Sequence, residues 1–592
     1  MDELKERRLE LFGLLAVLSL ALCLRLQHLE TLLPWFIFED ETRTTGVSLH
    51  LIQNRTLDPG HSFYPAAAFY VNAVAFMLWS AIGLLGEILR QGPRVISEYF
   101  SHWSSADPVM IMLSRWVSLA FGMGSLVFTH LLARLYLPWR WALLATLLMA
   151  VNSMHLSMSA LAKVDAINLF WICAGYYTML KYLRTRERRW IMLSAALAGF
   201  SVVTKNNYQL GVGLVVFTAI VLVRENGGIP AMLKAQLAVL ASLSGSVFSR
   251  RRLRLIIQSR DFDLWIGVLI MAAAAFIASP YTFLRFKETM LNVGWLYAQA
   301  EIISTYHTDP GRWWLDRYFY LVSVVFPFIF GLPFFCVFLA ALVHHVKKHA
   351  LREPFIYFNL IWFAYAFASQ SGGPSGGSYP YYLYLNLVPL VIIIVVEGLF
   401  DLTRSAKKSA RTAGVILALC LLALSLARVD SFKTMFYGEY DKLGPWLAKE
   451  LKAGERALII SVYNPGSALG QEKILFSWPG RGLGAGASLV FDDPRDRVLS
   501  VWPHSLKIGE HDLFELFDPD YVVVDTWLMG GFKKFYRRHW AAPLVESLTA
   551  DRGYREIKRF PARYFGRAYF AAIDPEHEVD LIVLKKKRPP DD

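Results

Sequence analysis

The sequence predicts a polytopic α-helical membrane protein that ends in a small soluble α/β domain, and three observations carry that prediction. The 592 residues are 55% hydrophobic and 14% aromatic, with a mean hydropathy of +0.37, too apolar for a soluble chain of several domains. Apolar stretches of bilayer-spanning length recur up to residue 428 and then stop. The excess of Lys and Arg, a net charge of +13, is gathered into clusters between those stretches, as expected of loops on the cytoplasmic side rather than of a nucleic-acid surface.

Charge clusters delimit the spans, because a Lys, Arg or Asp at mid-membrane costs about 2.5 to 3.5 kcal/mol on insertion scales. The candidate spans are 10–27, 109–133, 141–159, 165–182, 190–204, 208–223, 263–279, 318–343, 354–370, 381–400 and 411–428. The first follows Lys5–Arg8 and ends without small residues at cleavage spacing, so it reads as a retained helix. A further apolar stretch, 65–86, is expected not to cross. With it in the outer leaflet as a juxtamembrane or re-entrant segment, the basic clusters Lys5–Arg8, Arg134–Arg140, Lys181–Arg189, Arg224–Arg260, Lys347–Arg352 and Arg404–Arg411 share one side. That gives about eleven crossings, with the N-terminus cytoplasmic and the C-terminus outside.

The predicted membrane domain is therefore residues 1–428, with outer segments at 28–108, 159–165, 280–317 and the Gly-rich 370–380. Residues 429–592 read as a soluble domain on the non-cytoplasmic side, with a helix over Asp441–Lys452 and strands at Arg456–Val462, Tyr521–Asp525 and Asp580–Leu584. The glycines of 480–486 lack a following helix and a Lys-Ser/Thr partner, so they read as a loop. Cys23, Cys173, Cys336 and Cys420 each fall in an apolar run with no CxxC pair, which suits inert packing.

Function is expected in the outer segments. Phe38-Glu-Asp-Glu-Thr-Arg43 places three carboxylates and a guanidinium just after the first span. A carboxylate there can take a proton from a hydroxyl, with Arg43 one turn from Asp40; equally, acidic residues suit a helix N-terminus. Asp165 stands at the outer end of a span, where an ionisable group is a candidate by default. Lys205 lies where two spans meet, able to pair with a phosphate or to snorkel. In the third segment, Tyr306–Trp314 holds His307, which has no His partner at metal-ligand spacing, Arg312, which can grip a phosphate bidentately, and Trp313, which can stack on a sugar or anchor at the interface.

Together these positions resemble the GT-C superfamily of membrane glycosyltransferases, in particular the dolichyl-phosphate-mannose protein mannosyltransferases (glycosyltransferase family 39) and the lipid A aminoarabinose transferases. The resemblance covers about residues 10 to 400. It rests on Asp40-Glu41 with Arg43, the stretch Phe63–Tyr70, Arg115, Lys163-Val-Asp165, Thr204-Lys205 and Tyr379-Pro-Tyr-Tyr382. Two positions depart from the family pattern. Tyr64-Pro65-Ala66 stands where a His-Pro-Pro or Lys-Pro-Pro is usual, which moves a basic contact to His61 or removes it, and Ser378 precedes Tyr379 where an Arg is frequent.

The resemblance implies inverting transfer of a sugar from a polyprenyl-phosphate donor to an acceptor hydroxyl of a protein, lipid or glycan at the outer membrane face. It implies Asp40 as general base supported by Glu41, Asp165 orienting a substrate, and Arg43, Lys205 and Arg312 on the donor phosphate. Tyr64, His307, Trp313 and Tyr379 would contact substrate. The expected partners are the bilayer, the lipid-linked donor and the acceptor, with no nucleic acid; either no cofactor or a divalent metal is compatible. Two other functions compete. A transporter or flippase would also need many helices and intramembrane charge, but the candidate residues cluster at one face. An oligosaccharyltransferase-like enzyme would carry a WWD-type motif in its soluble domain, whereas Trp313-Trp314 precedes Leu315 and lies elsewhere.

Overall fold

In the computed structural model, the described residues are 2–60, 65–245 and 259–291, apart from 93, 106 and 206–207, then 326–349, 385–429 and 440–460, and the strands and helices of 463–587 given below. Helix α1 (Asp2–Leu29) is followed by a three-residue strand β1 (Phe36–Phe38) that leads directly into α2 (Glu39–Gln53). Then come α3 (Ala67–Gln91), α4 (Arg94–Phe100), α5 (Pro108–Ala133), α6 (Trp139–Ala150), α7 (Ser153–Ala160), α8 (Val164–Thr185), α9 (Arg188–Lys205), α10 (Gln209–Glu225), α11 (Ile229–Gly245) and α12 (Asp263–Ala278). After the short α13 (Pro280–Leu284), the bundle continues with α14 (Phe326–Phe330), α15 (Leu332–His349), α16 (Val388–Thr403) and α17 (Lys408–Ala427).

Among the described residues six helices are long and apolar enough to cross a membrane, or up to eight if each of two bent pairs counts as one span. The bundle centre is α5, α8, α9 and α12. Helices α9 and α12 pack backbone to backbone at Gly199, where an added Cβ would stand 2.4 Å from the Met271 carbonyl oxygen. Small residues at such crossings let backbones meet where lipid supplies no hydrophobic drive.

Several spans differ from their prediction. The expected helix 141–159 is broken into α6 and α7, bent by 61°, because the Asn152 side chain caps α7 by accepting from the His155 N–H at 3.1 Å. The basic stretch 224–260, expected as a loop, contains α11, turned 106° from α10. Gly227 and Gly228 make that turn with φ of +79° and +144°, a conformation denied to other residues. The expected span 318–343 breaks at Gly331, whose φ is +86°, and 354–370 lies outside the described residues. Stretch 65–86, expected not to cross, lies from Ala67 onward in α3, an unbroken helix of 25 residues that is itself one of the six long and apolar enough to cross a membrane. Its packed residues, Ala66 to Phe76, meet Leu49, Ile52, Phe100 and Met110 of α2, α4 and the start of α5, all at one end of the bundle.

Parts of three of the four segments expected outside meet one another or their immediate neighbours at that end, while 370–380 lies outside the described residues. Asp40 of the first reaches Lys163 of the second at 2.8 Å. The Ala66 N–H donates to Ser279 Oγ at 2.9 Å, and Arg285 pairs with Asp58.

Beyond α18 (Tyr440–Glu450) lies a five-stranded sheet built from β2 (Ala457–Ile460), β4 (Val498–Val501), β7 (Tyr521–Asp525), β8 (Tyr554–Pro561) and β9 (Asp580–Lys586), in the order β4-β2-β7-β9-β8. Strands β4, β2 and β7 are parallel, and β9 runs antiparallel to both β7 and β8. Strands β2 and β7 are buried along their whole length, as unbroken apolar runs require. Strand β3 (Tyr463–Pro465) leaves this sheet and pairs antiparallel with β1. The remaining elements are the small hairpin β5 (Lys507–Ile508) and β6 (His511–Asp512) and helix α19 (Ala541–Ala550). The glycines of 480–486 lie outside the described residues.

Candidate active site

Helix α2 begins at Glu39 immediately after β1, which sets Asp40 and Glu41 in its first turn, and they face different surroundings. Glu41 is wholly buried. Its two carboxylate oxygens accept from Arg115 Nε and Nη2 at 2.7 and 2.9 Å, and Oε1 also accepts the Ala162 N–H at 2.9 Å. Arg115, in the middle of an apolar helix and 1% exposed, turns Nη1 to the carbonyls of Leu29 and Thr31 at 2.6 and 2.9 Å. One fork-to-fork pair thus ties together the end of α1, the start of α2, α5 and the linker between α7 and α8. Glu41, expected to support the base, is held at this junction by these three bonds.

Asp40 points to a different set. Lys163, extended at the end of the short α7–α8 linker, brings Nζ to 2.8 Å from Asp40 Oδ2 and 3.9 Å from Asp165 Oδ2. Asp165, in the first turn of α8, also pairs through Oδ1 with Lys205 at the end of α9. The result is an alternating row, Asp40, Lys163, Asp165, Lys205, assembled from four separate pieces of chain. The two inner side chains are 3% and 2% exposed, while Asp40 and Lys205 at the ends are 20% and 11% exposed. The row is therefore closed in its middle and accessible at its ends. Its foot is fixed by further bonds: Ser118 donates to the Lys163 carbonyl at 3.2 Å and Ser201 to Asn168 at 2.9 Å.

Burial pushes the Asp40 carboxyl up, but Lys163, Arg43 one turn along α2 and, further off, Lys205 outweigh it and hold the group below the ordinary carboxylate range. Asp40 is therefore an anion at neutral pH with its charge partner in contact. Among the described residues no three His, Cys, Asp or Glu side chains come together. The groups around Asp40 are cations, which do not fit a divalent metal and do fit an anionic ligand.

Of the residues singled out from the sequence, Asp40, Glu41, Arg43, Asp165 and Lys205 come to this one end of the bundle. Tyr64, His307, Arg312, Trp313 and Tyr379 lie outside the described residues. Asp165, expected to orient a substrate, is engaged with the two lysines and sets their positions. The residues that sequence reasoning left without a role are Lys163 and Arg115. Their signal was available: each is a cation in an apolar stretch, and such a cation requires a partner.

The family model for dolichyl-phosphate-mannose-protein mannosyltransferase matches residues 61–247, about a third of the chain. The resemblance read from the sequence is thus found independently over the part that holds Arg115, Lys163, Asp165 and Lys205, while Asp40, Glu41 and Arg43 precede the matched region. No curated protein matches the chain by sequence. Among solved structures, the oligosaccharyltransferase of Archaeoglobus fulgidus with a tethered acceptor peptide is similar at 12% identity and a TM-score of 0.44, covering 87% of this chain and 69% of that one. ArnT from Cupriavidus metallidurans bound to undecaprenyl phosphate is similar at 12% identity and a TM-score of 0.40, covering 96% and 97%.

Proposed function

We propose that the protein is a membrane glycosyltransferase that moves a sugar from a polyprenyl-phosphate donor to an acceptor hydroxyl, in one inverting displacement at the site around Asp40. The observation that carries this reading is a carboxylate kept ionised within a row of lysines whose two ends are open. It is supported by the family match across the lysine-bearing part of the row.

The charges suit the chemistry. Asp40 takes the acceptor proton as the acceptor oxygen bonds to the anomeric carbon, and the bond from that carbon to the phosphate oxygen breaks with its electron pair leaving on the lipid phosphate. A phosphodiester with one negative charge becomes a monoester with up to two, so fixed cations bind the transition state more tightly than the ground state. Lys205 and Arg43 are placed to meet that charge. As Asp40 becomes neutral, Lys163 loses the nearer of its two anionic partners and more of its field turns to the phosphate. Arg312 is proposed as a further phosphate contact, with Tyr64, His307, Trp313 and Tyr379 touching sugar or acceptor. We place the site and the C-terminal domain on the non-cytoplasmic side.

The test is transfer from a panel of radiolabelled polyprenyl-phosphate sugars by purified protein in lipid, with membrane glycoconjugates as acceptors and Asp40→Asn beside wild type. Transfer that vanishes in the variant, with donor binding kept, is the expected result. Donor that crosses the bilayer without transfer, unaffected by the substitution, would establish a flippase instead.

A further inference from the structure

We propose that the C-terminal sheet is a positioning part of this site, with α18 and β3 gripping residues 35–38 and so fixing where Asp40 stands. The inference rests on the transferase reading for its kinetic consequences and on geometry alone for the grip.

Residues 35–38 immediately precede α2, and the two α18 residues that touch them, Tyr440 and Gly444, lie four apart on one face of that helix. Trp35 lies against Gly444 so closely that an added Cβ would stand 2.5 Å from its Cβ and 2.7 Å from Cγ, which leaves no room for a side chain. Phe36, 0% exposed, meets the Tyr440 ring edge-on at 5.0 Å and 74°. The Tyr440 hydroxyl donates at 3.0 Å to Asp525 Oδ2, a buried carboxylate at the end of β7 in the five-stranded sheet. Backbone pairing adds a third contact, Phe36 opposite Pro465, Ile37 opposite Asn464 and Phe38 opposite Tyr463.

A two-stranded ladder this short is marginal alone, so it depends on the α18 contacts to persist. On its far side the same piece of chain is held by the bundle, through Arg115 on the Leu29 and Thr31 carbonyls and on Glu41. Asp40 thus stands between two anchors, one in the bundle and one in the sheet. Loosening the second lets residues 35–40 shift relative to Lys163, Arg43 and Lys205, the charged groups that face Asp40, with Asp165 behind the lysines.

The experiment uses the full chain in lipid. Gly444→Ala and Asn464→Pro are expected to lower kcat roughly 10- to 100-fold, the order that an ångström of misplacement costs, with donor KM unchanged. The acid limb of the rate profile should also move to higher pH as Asp40 loses its contact with Lys163. Joining Ile37→Cys to Asn464→Cys should give an oxidative cross-link, detected as a linked peptide, that restores kcat and the pH profile in the Gly444→Ala background. A Gly444→Ala protein with wild-type kcat and pH profile would overturn the proposal. If wild type transfers no sugar, the transferase reading fails by itself, and the cross-link decides the grip: its yield should fall in Gly444→Ala, and an unchanged yield overturns it.

Discussion

Two clusters of charge stand at opposite ends of the bundle, and they are built differently. At the end marked by the contact of Trp141 with Phe400, α15 and α16 carry His345 against Glu397, Lys348 at 2.9 Å from Glu397 and 2.7 Å from Asp401, and His344 at 3.0 Å from Asp401. Among the described residues only two helices take part, and the outer side chains are open to solvent, Lys348 at 37% and His344 at 51% exposed. At the other end the ions come from α2, α5, α8, α9 and the α7–α8 linker, the inner members are buried, and a carboxylate and a lysine are left at the mouth. The first arrangement fastens two neighbours. The second makes many segments depend on one another, which is what a reaction needs when groups must be held within fractions of an ångström.

Substitutions can break or sharpen this contrast. The largest expected effect is that of Asp40→Asn, which keeps shape and removes the base: transfer should fall by about 10²- to 10⁴-fold, measured by initial rates, with the fold retained and the melting temperature below wild type at neutral pH, because the ion pair with Lys163 is lost. Next is Arg115→Leu. It strands the buried Glu41 carboxylate and should destabilise the fold by about 3 to 5 kcal/mol, read from thermal unfolding in detergent; an unchanged melting temperature would show that the junction is not holding the segments.

Lys163→Met should act third, on pH dependence. Lys163 opposes the upward push of burial on Asp40, so its loss should move the acid limb of transfer to higher pH, and an unmoved limb would separate the two residues. The sign for stability follows. A carboxylate whose folded pKa is depressed contributes stability above its unfolded value of about 3.9 and loses it as pH falls through the folded value. The wild type should therefore lose melting temperature more steeply than Asp40→Asn below about pH 4. The smallest effect is expected at the opposite cluster, where Lys348→Ala removes a partly wet pair worth about 0 to 1 kcal/mol and should leave transfer unchanged. A large loss there would mean the two ends are coupled.

Much of this contrast was legible in the chain. The gathering of outer segments followed from charge, because a lysine in a loop stays out of the bilayer whatever the helices do around it. Asp40, Arg43, Asp165 and Lys205 stood out because ionisable groups beside apolar runs are costly unless used. The breaks at Asn152 and Gly331 and the helix Ile229–Gly245 were missed. Hydropathy over a window sees apolar content and is blind to a cap or to a turn at Gly227-Gly228.

By itself, then, the sequence determined that this is a multi-pass helical protein with a strand-bearing C-terminal part, and which ionisable residues stand beside its apolar runs, since hydropathy and charge are properties of residues. Only the tertiary structure decided that Glu41 belongs to Arg115 and Asp40 to Lys163, and that Trp35 rests on Gly444 more than 400 residues away. Adjacent carboxylates on a helical turn point in different directions, and which cation each one meets depends on how distant segments pack, information that no local pattern holds.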